Sequence, residues 1–205
     1  MTQPRPHTGR RRNDAARRAI LDAAADLLTR SGAGTGVTTT DIASAAGVSK
    51  QTIYRWWPSK GAVLLEAMTE WARSSAPDPD TGTLRGDLAE FLTATFTSAA
   101  NPPAAALLRV VLAEAQTDSA TTELLADFAR DRRTILHAIL DRARVRRELP
   151  ADTDMEILVD QIYGFLWYRL TVARTPLDTE IVARLINSLC IGFACLQNAP
   201  TTNDQ

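Results

Sequence analysis

Residues 38–57 constrain the fold more than any other stretch of the chain. They read Thr-Thr-Thr-Asp-Ile-Ala-Ser-Ala-Ala-Gly-Val-Ser-Lys-Gln-Thr-Ile-Tyr-Arg-Trp-Trp. Two helical runs lie here with a glycine between them, and each is too short to persist alone in water. Such runs survive only by packing across one another. Ile42, Ala43 and Ala46 supply an inward face, and the small residues at 43 and 46 let the helices cross closely. Gly47 permits the positive φ that the turn demands. Val48 fills the space between the helices, and Ile53 anchors the second to the core. Thr38 and Asp41 have the spacing of a capping box, in which each side chain bonds the other's free backbone N–H. Ser49 is the natural N-cap of the second run. The pattern predicts a helix-turn-helix.

With Ile53 turned inward, Lys50, Gln51, Thr52, Tyr54 and Arg55 point outward. Donors and a phenolic hydroxyl gathered at a helix N-terminus suit a DNA major groove. The charge distribution agrees. Residues 1–60 hold ten Lys or Arg against four Asp or Glu, a net of +6, while residues 61–205 hold thirteen against twenty, a net of −7. One part is built to meet a polyanion and the other is not. Arg10, Arg11 and Arg12 are open to two readings, a solvated tail or an arm entering the minor groove beside the main site.

The rest of the chain reads as helix. Apolar residues recur at helical spacing from Asn13 to Arg30, and Ser59 caps a helix running to about Ser75. Pro77-Asp78-Pro79-Asp80-Thr81-Gly82 is the clearest break. Beyond it, helices are predicted near 84–100, 103–117, 121–147, 153–174 and 178–198, and no run alternates with the period of a strand. The fold class expected is all-α. A basic flexible arm (1–13) precedes a helix-turn-helix domain (14–75), and a helical-bundle domain (76–205) follows. No apolar run approaches the roughly 20 residues needed to span a bilayer, and no segment of signal-peptide type follows the basic N-terminus. The expected location is the cytoplasm, with no membrane partner. Cys190 and Cys195, the only cysteines, would point in different directions on one helix and read as buried thiols.

The run Asp41-Ile42-Ala43, Ala46-Gly47-Val48-Ser49, Ile53-Tyr54, Trp57-Pro58-Ser59-Lys60 and Leu64-Leu65 resembles the DNA-binding domain of the TetR family of transcriptional regulators. The resemblance extends from about Asp14 to Ala72. It implies that Tyr54, Thr52 and Lys60 touch phosphates, and that Lys50, Gln51 and Arg55 lie nearest the base edges. Thr38 and Ser49, at the helix starts, belong to the same surface. Trp57 is expected in the core, and Trp56 within reach of the DNA backbone. The resemblance further implies a homodimer on a palindromic operator, released from it by a small-molecule effector, with repression the usual outcome.

The second half is less explicit. Phe165, Leu170, Ile181, Leu185, Leu189 and Phe193 mark broad apolar stripes on the last two long helices. By the resemblance these helices pair with their copies in a second subunit; the alternative is that the stripes face only the intrachain core. Phe91, Phe96, Phe128, His137, Tyr163, Trp167 and Tyr168 are candidates for an effector pocket, each also readable as plain core. His137 lies among Ile135, Leu136 and Ile139, where a core histidine is the default. With two histidines in the chain, no metal set of His-Cys or His-carboxylate type is available. No phosphate-binding loop or nucleophile elbow is present. No catalytic residue, metal or cofactor is expected. A ligand-independent architectural or protein-interaction module on the same fold is the rival reading, and a helical-bundle enzyme a third.

Overall fold

The computed structural model describes residues 8–30, 37–74 and 77–197, and within them not the side chains of 8–12, 28–29, 71, 73–74 and 191–197. Every regular element among the described residues is helical. In chain order these are α1 (Thr8–Arg30), α2 (Thr39–Ala45), α3 (Lys50–Tyr54), α4 (Lys60–Ser74), α5 (Leu84–Ala100), α6 (Pro102–Ala115), α7 (Ser119–Val145), α8 (Met155–Trp167) and α9 (Thr179–Gln197). A π-helical stretch, Tyr168–Ala173, continues α8.

Two compact units are present, and they do not follow chain order. Met1–Trp71 joins with Pro102–Phe128, and Ala72–Asn101 joins with Ala129–Gln205. In the first unit α1 packs on α2 and on α6, and α2 packs on α3. Ile20, Ala24, Ile42, Ile53, Val63, Leu64, Leu107 and Val111 are fully buried there. Each buried Val, Leu or Ile side chain contributes roughly 1.5–3 kcal/mol by leaving water, which is how helices as short as α2 and α3 persist. The second unit pairs α5 with α9. Its core holds Leu88, Phe91, Leu92, Leu136, Ile139, Leu140, Ala143 and Val159.

Three boundaries differ from the sequence reading. The first helix begins at Thr8, so Arg10, Arg11 and Arg12 lie in its opening turns rather than in an arm ending at residue 13. The third helix stops at Tyr54, not at Trp57, because the N–H groups of Trp56 and Trp57 both turn back to the Ile53 carbonyl at 2.9 Å. The predicted helix 153–174 widens into π geometry at Tyr168 and ends on Arg174 at φ +51. Three hydrogen bonds accompany that ending. Thr171 donates its hydroxyl to the Trp167 carbonyl at 2.6 Å, and the Arg169 guanidinium caps the Pro176 carbonyl at 2.8 and 3.0 Å. Pro176 bars its predecessor from continuing the helix.

Candidate nucleic-acid interface

The helix-turn-helix is held by bonds between residues three apart. The Thr38 hydroxyl accepts from the Asp41 N–H at 3.2 Å, and the Asp41 carboxylate accepts from the Thr38 N–H at 2.8 Å and from its hydroxyl at 2.6 Å. Those bonds, the hydroxyl's first, hold the Asp41 carboxyl below the usual aspartate range, and Lys50 adds a smaller pull. Gly47 takes φ +66, and the Val48 N–H reaches the Ala43 carbonyl at 2.9 Å to close the turn. Ser49 caps α3 by accepting from the Thr52 N–H at 3.2 Å. Ile42, Ala43 and Ile53 are buried, whereas Ala46 and Val48 are half-buried.

The opposite face of α3 is open. Lys50, Gln51, Tyr54 and Arg55 are exposed, and Thr52 is half-buried with its hydroxyl 3.0 Å from that of Ser49. Tyr54, though 53% exposed, directs its hydroxyl to Thr39 at 3.5 Å. Three donors and a phenol therefore project from little more than one helical turn whose backbone is fixed at both ends. Thr38 and Ser49 spend their hydroxyls on the caps.

Trp57 is buried and donates its indole N–H to Glu66 at 2.5 Å. Trp56 stands edge-on to it, ring centroids 5.5 Å apart and planes at 80°, with the Arg55 guanidinium 5.5 Å over its ring. Glu66 also pairs with Arg17, which reaches Glu70 at 3.5 Å. Asn13, Asp14, Arg17, Arg55, Trp56, Trp57 and Glu66 line an open depression of about 360 Å³. The side chains of Arg10, Arg11 and Arg12 lie outside the described residues.

Lys60, expected at a phosphate, has an acidic neighbour. Its ammonium lies 2.6 Å from the carboxylate of Glu114, in the last turn of α6. The sequence reading missed Glu114. A signal existed: a carboxylate at a helix C-terminus sits against the negative end of the helix dipole and needs a partner.

The other expected residues fall into distinct places. Phe91 and Phe96 are buried, and Phe96 stacks on Phe165 with centroids 6.3 Å apart. Tyr163 donates its hydroxyl to the Arg132 carbonyl at 2.9 Å, and burial pushes its pKa up. His137 lies 3.2 Å from Glu156 at a partly exposed position rather than in the core. Trp167 is half-buried, whereas Tyr168 is 59% exposed. Phe128 belongs to the first unit and the other six to the second. Leu170 and Leu185 are buried within the chain, Phe165, Ile181 and Leu189 are half-buried, and the Phe193 side chain lies outside the described residues. Among the described residues no three His, Cys, Asp or Glu side chains are grouped to hold a metal, and no helix is long and apolar enough to cross a membrane.

Residues 20–67 match the family described as bacterial regulatory proteins, tetR family, and residues 78–189 match the tetracyclin repressor-like C-terminal domain. The HTH-type transcriptional regulator YdeS of Bacillus subtilis (strain 168), described as uncharacterized, is 31% identical over 87% of this chain and 89% of its own length. The HTH-type transcriptional regulator AqdR of Rhodococcus erythropolis is 28% identical over 100% and 99% of the two chains. Among solved structures, the TetR family transcription regulator SCO0332 superposes with a TM-score of 0.70 at 33% identity, over 86% of this chain and 97% of that one.

Proposed function

This chain belongs to the TetR family of DNA-binding transcriptional regulators, and we propose that it is a homodimeric repressor released from a palindromic operator by a small-molecule effector. In this reading residues 14–75 bind DNA, residues 76–205 bind the effector and the second subunit, and the protein works in the cytoplasm. The observation that carries it is the open face of α3. Lys50, Gln51, Tyr54 and Arg55 are exposed on a helix whose other side is pinned by Ile53 and whose start is fixed by Ser49.

A dimer presents two such helices. They enter successive major grooves only when about one helical turn, ~34–36 Å, separates them. An effector that favours another separation lowers DNA affinity without touching the DNA surface, which needs ~1–3 kcal/mol of coupling. Ile157, Tyr168 and Val172 support the second copy. They are 53%, 59% and 70% exposed, and on a helix spacings of eleven and four residues bring them to one side. Large apolar side chains left in water on one side of a helix favour a partner that covers them.

The test begins with genomic fragments retained by the purified protein, sequenced to define the operator. On randomised operators Tyr54→Phe should weaken all sequences alike, since phosphates carry no base identity. Gln51→Ala or Lys50→Ala should relax preference at one or two base pairs, by ~1–3 kcal/mol for a bidentate contact. Uniform loss from Gln51→Ala would remove α3 from base recognition. Tyr168→Glu with Val172→Glu should yield a folded monomer by light scattering, and a folded dimer would place the subunit interface elsewhere.

A further inference from the structure

We propose that Glu114 sets the affinity for DNA through Lys60, as an intramolecular competitor that holds the ammonium a phosphate would otherwise receive. The inference rests on the reading of Lys60 as a phosphate contact, and it adds a residue from α6, far from the motif in sequence.

Helix electrostatics place both partners where each is uncomfortable alone. Lys60 opens α4, so its positive charge faces the positive end of that helix dipole; Glu114, in the last turn of α6, faces the negative end of its own. Each needs an opposite charge, and at 2.6 Å they supply it to one another. The pair is also held in place. Ser59 accepts from the Ala62 N–H at 3.2 Å and lies 3.4 Å from the Thr121 hydroxyl, and Thr121 is fully buried. Thr121 donates its N–H to Asp118 at 3.1 Å and its hydroxyl to the same carboxylate. Next to Lys60, Gly61 approaches Thr121 so closely that a Cβ there would stand 2.0 Å from its hydroxyl oxygen. The start of α4 is therefore docked on the α6–α7 turn, and Glu114 is a fixed neighbour of the ammonium.

A phosphate reaching Lys60 meets that carboxylate within a few Å, a like charge at partly buried positions where salt screens it incompletely. DNA must either displace Glu114 or tolerate it, and both lower affinity. Removing the charge frees the ammonium for the phosphate.

The experiment measures binding of a fluorescein-labelled random-sequence duplex by anisotropy across a salt series. It uses the full chain carrying Glu114→Gln, Lys60→Ala or both, with circular dichroism to verify folding. Glu114→Gln should tighten binding about three- to tenfold for each helix-turn-helix engaged. It should steepen the log–log salt slope by up to about 0.9 per protomer. Neither change should appear in the Lys60→Ala background. Glu123→Gln removes an equal charge from the same unit and should change binding little. Weaker or unchanged binding by a folded Glu114→Gln protein overturns the proposal, because Glu114 then positions Lys60 or is inert. Equal tightening with and without Lys60 overturns it in favour of a general field effect. If Lys60→Ala alone leaves affinity and salt slope intact, the phosphate contact itself fails, and the inference falls with it by a separate and recognisable route.

Discussion

The helix-turn-helix leans on local caps, whereas the second unit adds ties between distant segments to caps of the same kind. In residues 38–54 the capping bonds join neighbours three apart, Thr38 with Asp41 and Ser49 with Thr52, and the longer Tyr54–Thr39 bond spans fifteen residues. In the second unit Thr83, Asp154 and Asp178 cap their helices in the same local way, and further bonds join distant segments. Arg146 reaches Asp87 across 59 residues, Glu148 accepts from the Leu84 N–H across 64, and Arg85 meets Asn187 across 102. Arg142 ties α7 to Asp78 and to the Pro79 carbonyl. Local caps preserve the shape of the proposed DNA-binding surface whatever happens elsewhere. Long-range ties make the position of one helix depend on another.

The strongest way to break this contrast is at Asp87, whose side chain is fully buried. It accepts from the Thr81 N–H at 2.6 Å, from the Thr81 hydroxyl at 2.8 Å and from Arg146 at 2.8 Å. Asp87→Ala strands all of these donors and should cost about 2–4 kcal/mol, part of the loss being relieved because Arg146 reaches water. Asp87→Asn keeps an acceptor for Thr81 and should cost less. Denaturant melts of the second unit measure both. A loss no larger than that of a cap deletion would mean that the long-range ties do not carry this unit.

Gly61→Ala tests the contrast from the other side, because the first unit is not wholly local. The new Cβ meets a fully buried Thr121 already committed to Asp118. Overpacking of this kind costs roughly 1–3 kcal/mol. Thr121→Ala should restore part of the loss. Absence of rescue would mean that Thr121 does not set the distance between α4 and the α6–α7 turn.

Ser49→Ala and Thr38→Ala come next, at about 1 kcal/mol each. Hydrogen exchange should speed at the α2 and α3 amides and stay unchanged in α5 and α9. Equal acceleration in both units would erase the distinction between local and long-range support.

The same distinction explains what could be read from the chain. Capping, turn and anchor residues act within three or four positions, so Thr38, Gly47, Ser49 and Ile53 disclosed the helix-turn-helix, and proline breaks disclosed the ends of α4, α5 and α7. The Glu114–Lys60 pair joins residues 54 positions apart, and no periodicity reports it. Grouping of Pro102–Phe128 with the first unit was equally hidden, since it depends on α6 packing against α1. Apolar stripes on the last helices could not divide core from surface. Leu185 is buried within the chain while Tyr168 and Val172 stand in water, and both patterns give the same spacing. The π geometry after Trp167 needed the Arg169 cap on Pro176, another contact without a local signature.

The smallest expected effect lies in acid. Thr38 lowers the Asp41 pKa. Burial alone would raise that of Asp87, but the bonds from Thr81 and Arg146 outweigh it, and the net shift is downward. Unfolded, either carboxyl titrates near ~3.9. A folded value below the unfolded one means that the stabilisation is complete above that pH and is lost as pH falls through the folded value. Thermal melts between pH 6 and about pH 3 should therefore descend on an acid limb. Asp87→Asn should flatten that limb most, because its carboxylate is buried and triply bonded. Asp41→Asn should flatten it least, because Asp41 is exposed and water competes for its bonds. An acid limb that responds more to Asp41→Asn than to Asp87→Asn would show that the cap at Thr38, rather than the tie at Arg146, governs how the protein fails in acid.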